Sequence, residues 1–363
     1  MQRKMPINSL VKRVMAPLIS PDQYDFWARE FGSTSAWQRC FARVTSVTPN
    51  GASSVSIRLQ PNSNFQGFNA GQHINVVAEI RGRRISRSYS LSNIANVNNE
   101  VEITVRLDPK GAMSQYLHSE VSVGSVLEIS QAFGGMSLAG SRQENSSIAF
   151  LAAGSGISPL MGLIRELAKK GFDQSCSLLY WDFDETHFSF SAELDQLAGE
   201  HENLHINSLC TRVGEESAAR INTQQLHDLL GDVSDASIYA CGSHAFTDTA
   251  RQLLAGSVRH FEAESFTPAT IATSNTHEEM VSVQLKRSGR LVKVSNQQNL
   301  LDALEAQGVA IESGCRMGIC NTCTCHKLQG SSTNTLNGDL DSSAGSAIRL
   351  CVSRASGSLE LDL

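Results

Sequence analysis

Four cysteines near the C-terminus constrain the fold of this chain more than any other feature. Cys315, Cys320 and Cys323 lie in one short stretch with C-x4-C-x2-C spacing, and Cys351 follows alone. This is the ligand spacing of a plant-type [2Fe–2S] cluster, which is held by four cysteine thiolates. The segment must therefore fold into a tight loop that aims three sulfurs at one point, while a distant segment supplies the fourth.

The residues around these cysteines suit a cluster loop. Gly314 and Gly318 permit unusual backbone dihedrals, so that neighbouring N–H groups can point at the sulfurs. A structural zinc site is the alternative, and Cys325 and His326 keep it open, although such sites favour paired CxxC or mixed Cys/His ligands. Because four other cysteines complete the pattern, Cys325 is not expected to be a ligand. We predict an iron–sulfur centre, which carries single electrons that another part of the chain must supply.

Length and composition indicate a globular protein of two to three domains. The chain has 363 residues, of which 41% are hydrophobic and 18% charged, with a net charge of −6. This charge gives no basic footprint for nucleic acid. The sequence contains neither a signal peptide nor an apolar run long enough to span a membrane. Four of nine cysteines belong to a metal pattern, which favours a reducing cytoplasm. Peripheral contact with the inner face of a membrane, through a partner, stays open.

Residues 1–38 are predicted to form a separate N-terminal helical extension. Apolar residues recur at helical spacing, and Pro17 and Pro21 interrupt the pattern; these apolar residues are Leu10, Val11, Val14, Met15 and Leu18. The segment is also rich in aromatic residues, namely Phe26, Trp27, Phe31 and Trp37. One interpretation is an amphipathic element that docks on a membrane surface or a partner. The favoured interpretation is a helix that packs on its own domain.

The rest of the chain divides into three domains and a linker. Residues 39–140 contain short β-rich runs separated by turns, which predict an antiparallel β-barrel or sandwich. Residues 141–266 alternate strands with helices, which predicts an α/β domain with a parallel sheet. A polar linker spans residues 267–279. The cluster domain spans residues 280–363 and contains a predicted helix at Leu300–Gln307.

Two motifs in the β-rich domain suit a flavin. A flat isoalloxazine needs an aromatic platform, a hydroxyl near N5 and a cation for its phosphates, which Arg87-Ser88-Tyr89-Ser90 could supply from alternating strand positions. Alone, this motif is weak, and an ordinary strand is the simpler interpretation. Downstream, Gly111-Ala112-Met113-Ser114 leads into a predicted helix whose first N–H groups could bind a pyrophosphate.

Two motifs in the α/β domain suit a dinucleotide. The turn from Gly154 to Pro159 follows a strand and opens a helix, and Gly154 and Gly156 would let a pyrophosphate approach the backbone. Ser158 and Pro159 stand where the third glycine of the usual fingerprint is expected, so a structural turn is an equal alternative. Cys241 closes a later strand, where a nicotinamide ring would bind, although a free cysteine is more often a core residue.

Together and in this order, these motifs resemble the ferredoxin–NADP reductase superfamily with a fused C-terminal ferredoxin, over about residues 40–363. The resemblance implies an FAD-binding β-barrel, an NAD(P)-binding α/β domain and a β-grasp ferredoxin domain of α+β class. It places metal ligands at the four cluster cysteines. The cofactor-binding residues that it implies are Arg87, Ser88, Tyr89, Ser90, Arg106, Gly111, Met113, Ser114, Gly154, Gly156, Ser158, Pro159, Thr211, Arg212, Cys241 and Gly242.

The resemblance also implies a mechanism. NADPH or NADH would deliver a hydride to flavin N5, and electrons would then pass singly to the cluster and on to an external acceptor. Ser90 is the candidate for the hydrogen bond to N5, and Tyr89 for packing along the ring. Cys241 is expected close to the reactive carbon of the nicotinamide. Ser90 and Cys241 are therefore the candidate catalytic residues.

The choice between NADPH and NADH rests on two conflicting signals. Relatives often carry an arginine after the second strand of the nucleotide domain, where this chain has Phe183 among the carboxylates Asp182, Asp184 and Glu185. An acidic residue there would bind ribose hydroxyls and repel a 2′-phosphate. Thr211-Arg212, however, resembles the Ser-Arg pair that holds the 2′-phosphate, with Arg220 nearby. We favour NADPH, because a guanidinium and a hydroxyl together suit a phosphate.

The sequence constrains the identity of the external electron acceptor less than any other feature. Asp25-Phe26-Trp27 and the cluster loop resemble the electron-transfer partners of membrane fatty-acyl desaturases. Reductases of ring-hydroxylating dioxygenases, steroid hydroxylases and hybrid-cluster proteins share the architecture and are alternatives. A non-catalytic redox sensor and an enzyme that reduces a small molecule directly are further alternatives. Oligomeric state is not constrained by the sequence.

Overall fold

The computed structural model describes residues 19–95, 99–138, 146–212, 220–254, 256–266, 278–336 and 338–363. The chain divides into two compact units, Met1–Glu264 and Ser265–Leu363. The apolar repeat predicted to be helical at residues 10–18 and most of the predicted linker lie outside the described residues. Within those residues, none of the helices is both long and apolar enough to cross a membrane.

The first described helix, α1 (Pro21–Glu30), shows one packed side and one exposed side. Pro21 was expected to interrupt a helix, but it begins this one, because its fixed φ suits the first helical position. Asp25 is buried, and its carboxylate accepts hydrogen bonds from the backbone N–H groups of residues 37, 38 and 39. Trp27 and Phe31 stack on each other and remain exposed, Phe31 to 80%. The helix therefore packs on its own unit and still presents aromatic surface.

An antiparallel sheet of six strands forms the predicted β-domain as a half-barrel. Its strands are β1 (Cys40–Pro49), β2 (Ser54–Pro61), β3 (His73–Ile80), β4 (Arg83–Ser90), β5 (Val101–Arg106) and β6 (Val126–Ile129). They lie in the order β4-β3-β6-β1-β2-β5, and an isolated bridge between Leu91 and Ile103 joins the two edges. Helix α2 (Ala112–Ser119) follows β5. The inward side chains of all six strands share one apolar core.

The second sheet of this unit confirms the predicted α/β domain. Its strands are β7 (Ile148–Ala153), β8 (Cys176–Asp182), β9 (Leu204–Cys210), β10 (Ser237–Gly242) and β11 (His260–Ser265), in the order β11-β10-β7-β8-β9. The helices are α3 (Ile157–Lys170), α4 (Ser191–Glu200), α5 (Thr223–Leu230), which was not predicted, and α6 (His244–Leu254). The chain leaves β7 toward β8 and later returns on its other side with β10. Ligands of such sheets bind where the strand order reverses, so the crevice lies beyond β7 and β10.

Helix α3 joins the parallel sheet to the half-barrel. A Cβ at Gly162 would lie 2.9 Å from the carbonyl oxygen of Leu91, so only glycine lets the two backbones come this close. One turn later, Arg165 donates hydrogen bonds to Glu102 at 2.7 Å and to the carbonyl oxygen of Ser92 at 2.8 Å. Both contacts reach the half-barrel from the nucleotide domain. They fix the half-barrel and the domain with the parallel sheet relative to each other.

The C-terminal unit has the predicted α+β fold. Its strands are β12 (Met280–Leu285), β13 (Leu291–Ser295), β14 (Thr324–Asn334), β15 (Leu340–Asp341), β16 (Ser346–Arg349) and β17 (Ser353–Leu361). Strands β12 and β17 pair in parallel, whereas the other pairs are antiparallel. Helix α7 (Leu300–Ala306) buries Leu300, Leu301 and Leu304 in the core of this sheet. The cluster loop lies between α7 and β14.

Candidate functional site

Backbone N–H groups of the cluster loop point at the cysteine sulfurs, as the glycine spacing predicted. The N–H groups of Ile319 and Cys320 each lie 3.3 Å from Cys315 Sγ, and that of Gly318 lies 3.2 Å from Cys351 Sγ. The Thr322 hydroxyl donates to Cys320 Sγ at 3.1 Å. Donors in these positions stabilise thiolates and the negative charge of an iron–sulfur cluster. The loop therefore fits such a cluster.

The four predicted ligands form two pairs. Cys315 donates a thiol hydrogen bond to Cys320, and Cys351 donates one to Cys323. These bonds lower the pKa of Cys320 and of Cys323 below the usual thiol value. Two thiols for each of two iron atoms is the arrangement that a four-cysteine [2Fe–2S] cluster requires.

Two arginines hold the cluster loop in shape. Arg316 adopts a left-handed conformation with φ of 59°, and its guanidinium pairs with Glu305 at 2.7 Å and with Asp302 at 3.0 Å on α7. Arg349 donates a hydrogen bond to the carbonyl oxygen of Gly318. These contacts were not evident from the sequence, because they depend on which helix lies beside the loop.

Cys325 lies in the apolar core of the C-terminal unit. It stands on β14 opposite Ile348, and its thiol lies 3.5 Å from the carbonyl oxygen of His326. Burial raises its pKa to about 11, so the thiol stays protonated at neutral pH. This environment suits an apolar core residue rather than a fifth ligand.

The flavin motif lies at the end of β4, and its side chains divide between two faces. Arg87 and Tyr89 alternate with Ser88 and Ser90, so the predicted supply of cation, ring and hydroxyl does not come from one face. Ser88 donates to Asn75, and Tyr89 packs partly against the core of the half-barrel. Ser90 is buried, and its hydroxyl has no hydrogen-bond partner among the described residues. A buried hydroxyl without a partner is costly, and a flavin ring nitrogen would satisfy it.

The second flavin motif forms the start of α2. Gly111 is the residue before the helix, so the predicted helix begins where the sequence placed it. The side chain of Met113 lies in the core, and the Ser114 hydroxyl donates to the carbonyl oxygen of Gly111 at 3.0 Å. Both side chains are therefore occupied within the protein. Only the backbone N–H groups of this segment are available for a pyrophosphate.

The glycine turn after β7 meets β10, as the strand order requires. A Cβ at Gly156 would collide with the carbonyl oxygen of Cys241, so this glycine serves close packing between turn and strand. Gly154 has φ of +55°, and a Cβ there would point at Arg106. The contact of both glycines with a dinucleotide stays a prediction, and for Gly156 the packing against β10 is a second reason for glycine. Cys241 is fully buried, and burial raises its thiol pKa well above the usual value.

The remaining predicted residues of this turn and strand lie in closely packed surroundings. Ser158 and Pro159 are buried in the first turn of α3. A Cβ at Gly242 would lie 2.9 Å from both Ala153 and Phe246, so glycine is required there for packing. Their side chains lie inside the protein, so any contact with a nucleotide would come through the backbone.

Sequence reasoning missed a buried pair beside Ser90. His73 stands opposite Ser90 in the sheet, and its Nε2 lies 3.2 Å from Glu264 Oε2. Burial lowers the pKa of His73 to about 4 and raises that of Glu264 to about 8. At neutral pH the imidazole is therefore neutral and the carboxyl is largely protonated, so the contact between them is not a salt bridge. His73 belongs to Gly71-Gln72-His73, a further segment on which the family resemblance rests, whereas no local signal marked Glu264.

The residues that gave conflicting indications about NADH and NADPH lie at the carboxyl ends of β8 and β9. Asp182 is buried and forms a bidentate pair with Arg106, with N–O distances of 2.8 and 3.1 Å. The N–H of Thr211 lies 2.7 Å from the carbonyl oxygen of Asp182. The exposed guanidinium of Arg212 lies over the ring of Phe183, 4.8 Å from its centroid. Asp182, which suggested NADH in the sequence, is thus neutralised, whereas Arg212 is exposed.

The other carboxylates of this loop are mostly occupied locally. Asp184 accepts hydrogen bonds from the N–H and hydroxyl of Thr186 and lies 2.8 Å from His187 Nδ1. These bonds, first the one from the Thr186 hydroxyl, lower the pKa of Asp184 to about 2. Arg220 is exposed, and its carbonyl oxygen accepts a hydrogen bond from Asn222.

Comparison with protein families assigns each segment. Residues 42–137 match the oxidoreductase FAD-binding domain, and residues 150–252 match the oxidoreductase NAD-binding domain. Residues 283–356 match the 2Fe-2S iron-sulfur cluster binding domain. The last match supports iron–sulfur over zinc at the four cysteines.

Several characterised proteins are similar over most of their length. An NADPH oxidoreductase of Mycobacterium tuberculosis is 27% identical, over 98% of this chain and 92% of that protein, so the match includes most of residues 1–38. The beta subunit of a heme-dependent oxidative N-demethylase of Ectopseudomonas mendocina is 29% identical, over 83% and 91%. A glycine betaine monooxygenase reductase subunit of Chromohalobacter salexigens is 24% identical, over 75% and 80%. Among solved structures, phthalate dioxygenase reductase has a TM-score of 0.60 and 26% identity, over 89% of this chain and 97% of that chain.

Substitution of Gly318 by alanine tests the cluster loop. Gly318 has φ of +75°, and a Cβ would lie 2.8 Å from Val352 Cγ2. Left-handed strain of about 1–2 kcal/mol, with this clash in addition, should make the chain release iron to a chelator about tenfold faster. Iron content and visible absorbance over time measure the release. The control is Gly308→Ala, which has φ of +72° but meets no atom within 4 Å in the described structure. Equal iron loss in the two variants would contradict the role given to Gly318.

Proposed function

We propose that this chain, a member of the ferredoxin–NADP reductase family, draws electrons from NADPH and delivers them singly to a partner oxygenase. The proposal rests on its FAD-binding, NAD-binding and 2Fe-2S domains, which are those of an oxidoreductase. FAD and the [2Fe–2S] cluster, when bound, supply the conversion of a two-electron step into one-electron steps. The cluster loop carries this proposal, because its backbone N–H groups converge on paired cysteine sulfurs. A protein with this loop and a nucleotide domain in one chain has both ends of an electron-transfer sequence.

The residues around Ser90 suit the flavin end of this sequence. Ser90 offers a buried hydroxyl without a partner among the described residues, whereas Tyr89 lies on the other face of β4 and packs partly against the half-barrel core. The neighbouring His73 and Glu264 are both neutral at physiological pH, so they add no net charge beside the ring. Cys241 is the second candidate catalytic residue. Its burial means that the surrounding side chains would have to move before its thiol could touch a nicotinamide.

We propose NADPH as the electron donor. The carboxylate of Asp182 is engaged by Arg106 and by the N–H of Phe183, so it is not available to ribose hydroxyls. Arg212 is exposed and its guanidinium lies over the ring of Phe183, where its N–H donors can bind a 2′-phosphate. The name of the Mycobacterium tuberculosis relative, an NADPH oxidoreductase, agrees with this choice.

For the acceptor, we propose a membrane-bound fatty-acyl desaturase. The names of the relatives support an oxygenase in general, since two are reductase subunits of monooxygenases and one is the beta subunit of a heme-dependent oxidative N-demethylase. The surface of α1 favours a membrane-bound partner, because Phe26, Trp27 and Phe31 are exposed side by side. Residues 1–18 carry four basic and no acidic residues, in a chain whose net charge is −6. Basic and aromatic residues together suit an anionic lipid surface.

Anaerobic mixing with NADPH tests the electron-transfer sequence. Flavin absorbance should fall first and cluster absorbance second, and Ser90→Ala should slow the first phase about tenfold, as expected for one lost hydrogen bond. Ser90→Ala should also shift the flavin reduction potential, which is measured without any nucleotide. The control is Ser86→Ala on the same strand. Bleaching of the flavin with an unchanged cluster would disprove electron transfer to iron, and an unchanged rate and potential would disprove the role of Ser90.

Arg212→Gln tests the choice of nucleotide. It should raise the KM for NADPH about tenfold or more and leave the KM for NADH within about twofold, because only NADPH carries the 2′-phosphate. The measurement is steady-state reduction of ferricyanide with each nucleotide. The matched control is Arg251→Gln on α6, since Arg251 also lies over an aromatic ring, that of Phe261. Equal losses with both nucleotides would show that Arg212 does not distinguish them.

Vesicle sedimentation tests the lipid contact. The full chain should bind vesicles of phosphatidylcholine with phosphatidylglycerol and not vesicles of phosphatidylcholine alone. The double substitution Trp27→Ala, Phe31→Ala should weaken binding at least about tenfold, because each aromatic side chain contributes about 1.5–3 kcal/mol when buried. The control is Val123→Ala, which removes an exposed apolar side chain elsewhere. Absence of binding by the unmodified chain would remove the lipid contact and leave the electron-transfer proposal intact.

A further inference from the structure

Arg106 and Asp182 form an ion pair that crosses from the half-barrel to the nucleotide domain. Arg106 ends β5, and Asp182 ends β8. Arg106 Nη2 lies 2.8 Å from Asp182 Oδ1, and Nη1 lies 3.1 Å from Oδ2. The Asp182 side chain is 3% exposed, whereas that of Arg106 is 23% exposed. The pair thus has a buried anion and a cation that reaches the surface of the crevice.

The guanidinium lies directly against the glycine turn. A Cβ at Gly154 would be 2.8 Å from Arg106 Nη1, so this glycine leaves the space that the arginine uses. The turn leads into α3, so the start of this helix lies at the end of β7. A diphosphate at such a turn meets N–H donors and the positive end of the helix dipole. Arg106 would add a full positive charge at the same place.

The carboxylate of Asp182 offsets part of the positive charge of Arg106. Both of its oxygens are bound to the guanidinium, and Oδ1 also accepts the N–H of Phe183 at 2.8 Å. The Tyr180 hydroxyl lies 3.4 Å from Oδ2. The carboxylate is therefore fixed in place, and it fixes the orientation of Arg106. A nucleotide diphosphate must share the guanidinium with this carboxylate.

We propose that Asp182 is a positioning residue that holds Arg106 against the Gly154 turn and weakens its attraction for the diphosphate of the nucleotide, so that oxidised nucleotide is released readily. This inference rests on the proposed function, since it assumes that NADPH binds in this crevice. Asp182 acts only through Arg106, because its own oxygens have no free side toward the crevice. The diphosphate is common to both nucleotides, so the effect is independent of the 2′-phosphate.

The prediction concerns the binding of oxidised nucleotide to the full-length, FAD-loaded chain, measured by calorimetric titration with NADP⁺ and, separately, with NAD⁺. Asp182→Asn keeps the shape and one acceptor but removes the charge, so it should tighten binding of both nucleotides about three- to tenfold. Arg106→Gln should weaken binding of both about tenfold. In the Arg106→Gln background, Asp182→Asn should have no further effect. Tighter binding should also lower both kcat and KM for NADPH when release limits turnover.

Glu193→Gln is the matched control, because Glu193 forms a bidentate pair with Arg165 in the same unit, at 2.6 and 2.7 Å. It should leave nucleotide affinity unchanged. Unchanged or weaker binding by Asp182→Asn, or an effect that persists without Arg106, would overturn the inference. Tightening limited to NADP⁺ would also overturn it, because Arg106 would then act on the 2′-phosphate. If the unmodified chain binds neither nucleotide, the proposed function itself fails, which is a separate result.

Discussion

The close contact of helix α3 with its two neighbours is the constraint on which the proposed redox site depends. Two glycines make this close contact possible. Gly156 lets the turn lie against the backbone of β10, and Gly162 lets the helix lie against the carbonyl of Leu91 in the half-barrel. A methyl group at either position would separate backbones that now touch. Arg165, on the same helix, adds hydrogen bonds to Glu102 and to Ser92. One helix therefore sets the distance between the sheet that would bind nucleotide and the strands that would bind flavin.

Charges are distributed around this helix in a consistent way. Beside Ser90, burial keeps His73 and Glu264 neutral, and it keeps the Cys241 thiol protonated. Formal charges near this helix occur in ion pairs, of which Arg106 with Asp182 and Arg165 with Glu102 are two. Beside Ser90, a flavin that accepts a hydride would therefore meet no formal charge from His73, Glu264 or Cys241. The ion pairs of Arg106 and Arg165 link the half-barrel to the domain with the parallel sheet.

Features set by neighbouring residues could be predicted from the sequence, whereas contacts between distant residues could not. The cluster loop was predictable because its three cysteines and Gly318 are parts of one turn, and the order of the three folds followed from strand and helix periodicity. The pairing of Asp182 could not be predicted because its partner, Arg106, lies 76 residues away, and only the folded chain brings them together. The packing role of Gly156 was also not evident, because a glycine required for backbone packing looks identical in sequence to one required for a phosphate. Glu264 left no signal at all, since a carboxylate at a strand end is usually exposed.

The pairing of Asp182 with Arg106 also changes what this carboxylate contributes to the choice between NADH and NADPH. An acidic residue after the second strand favours NADH only if its oxygens are available to the ribose, and here they bind a guanidinium and a backbone N–H. With that carboxylate engaged, Arg212 on Phe183 is an exposed cation that would face the 2′-phosphate of NADPH in the proposed function. The same ion pair that engages Asp182 holds Arg106 beside the Gly154 turn. In the proposed scheme, one carboxylate therefore influences both the choice of nucleotide and the affinity for it, and the identity of residue 182 alone would predict neither.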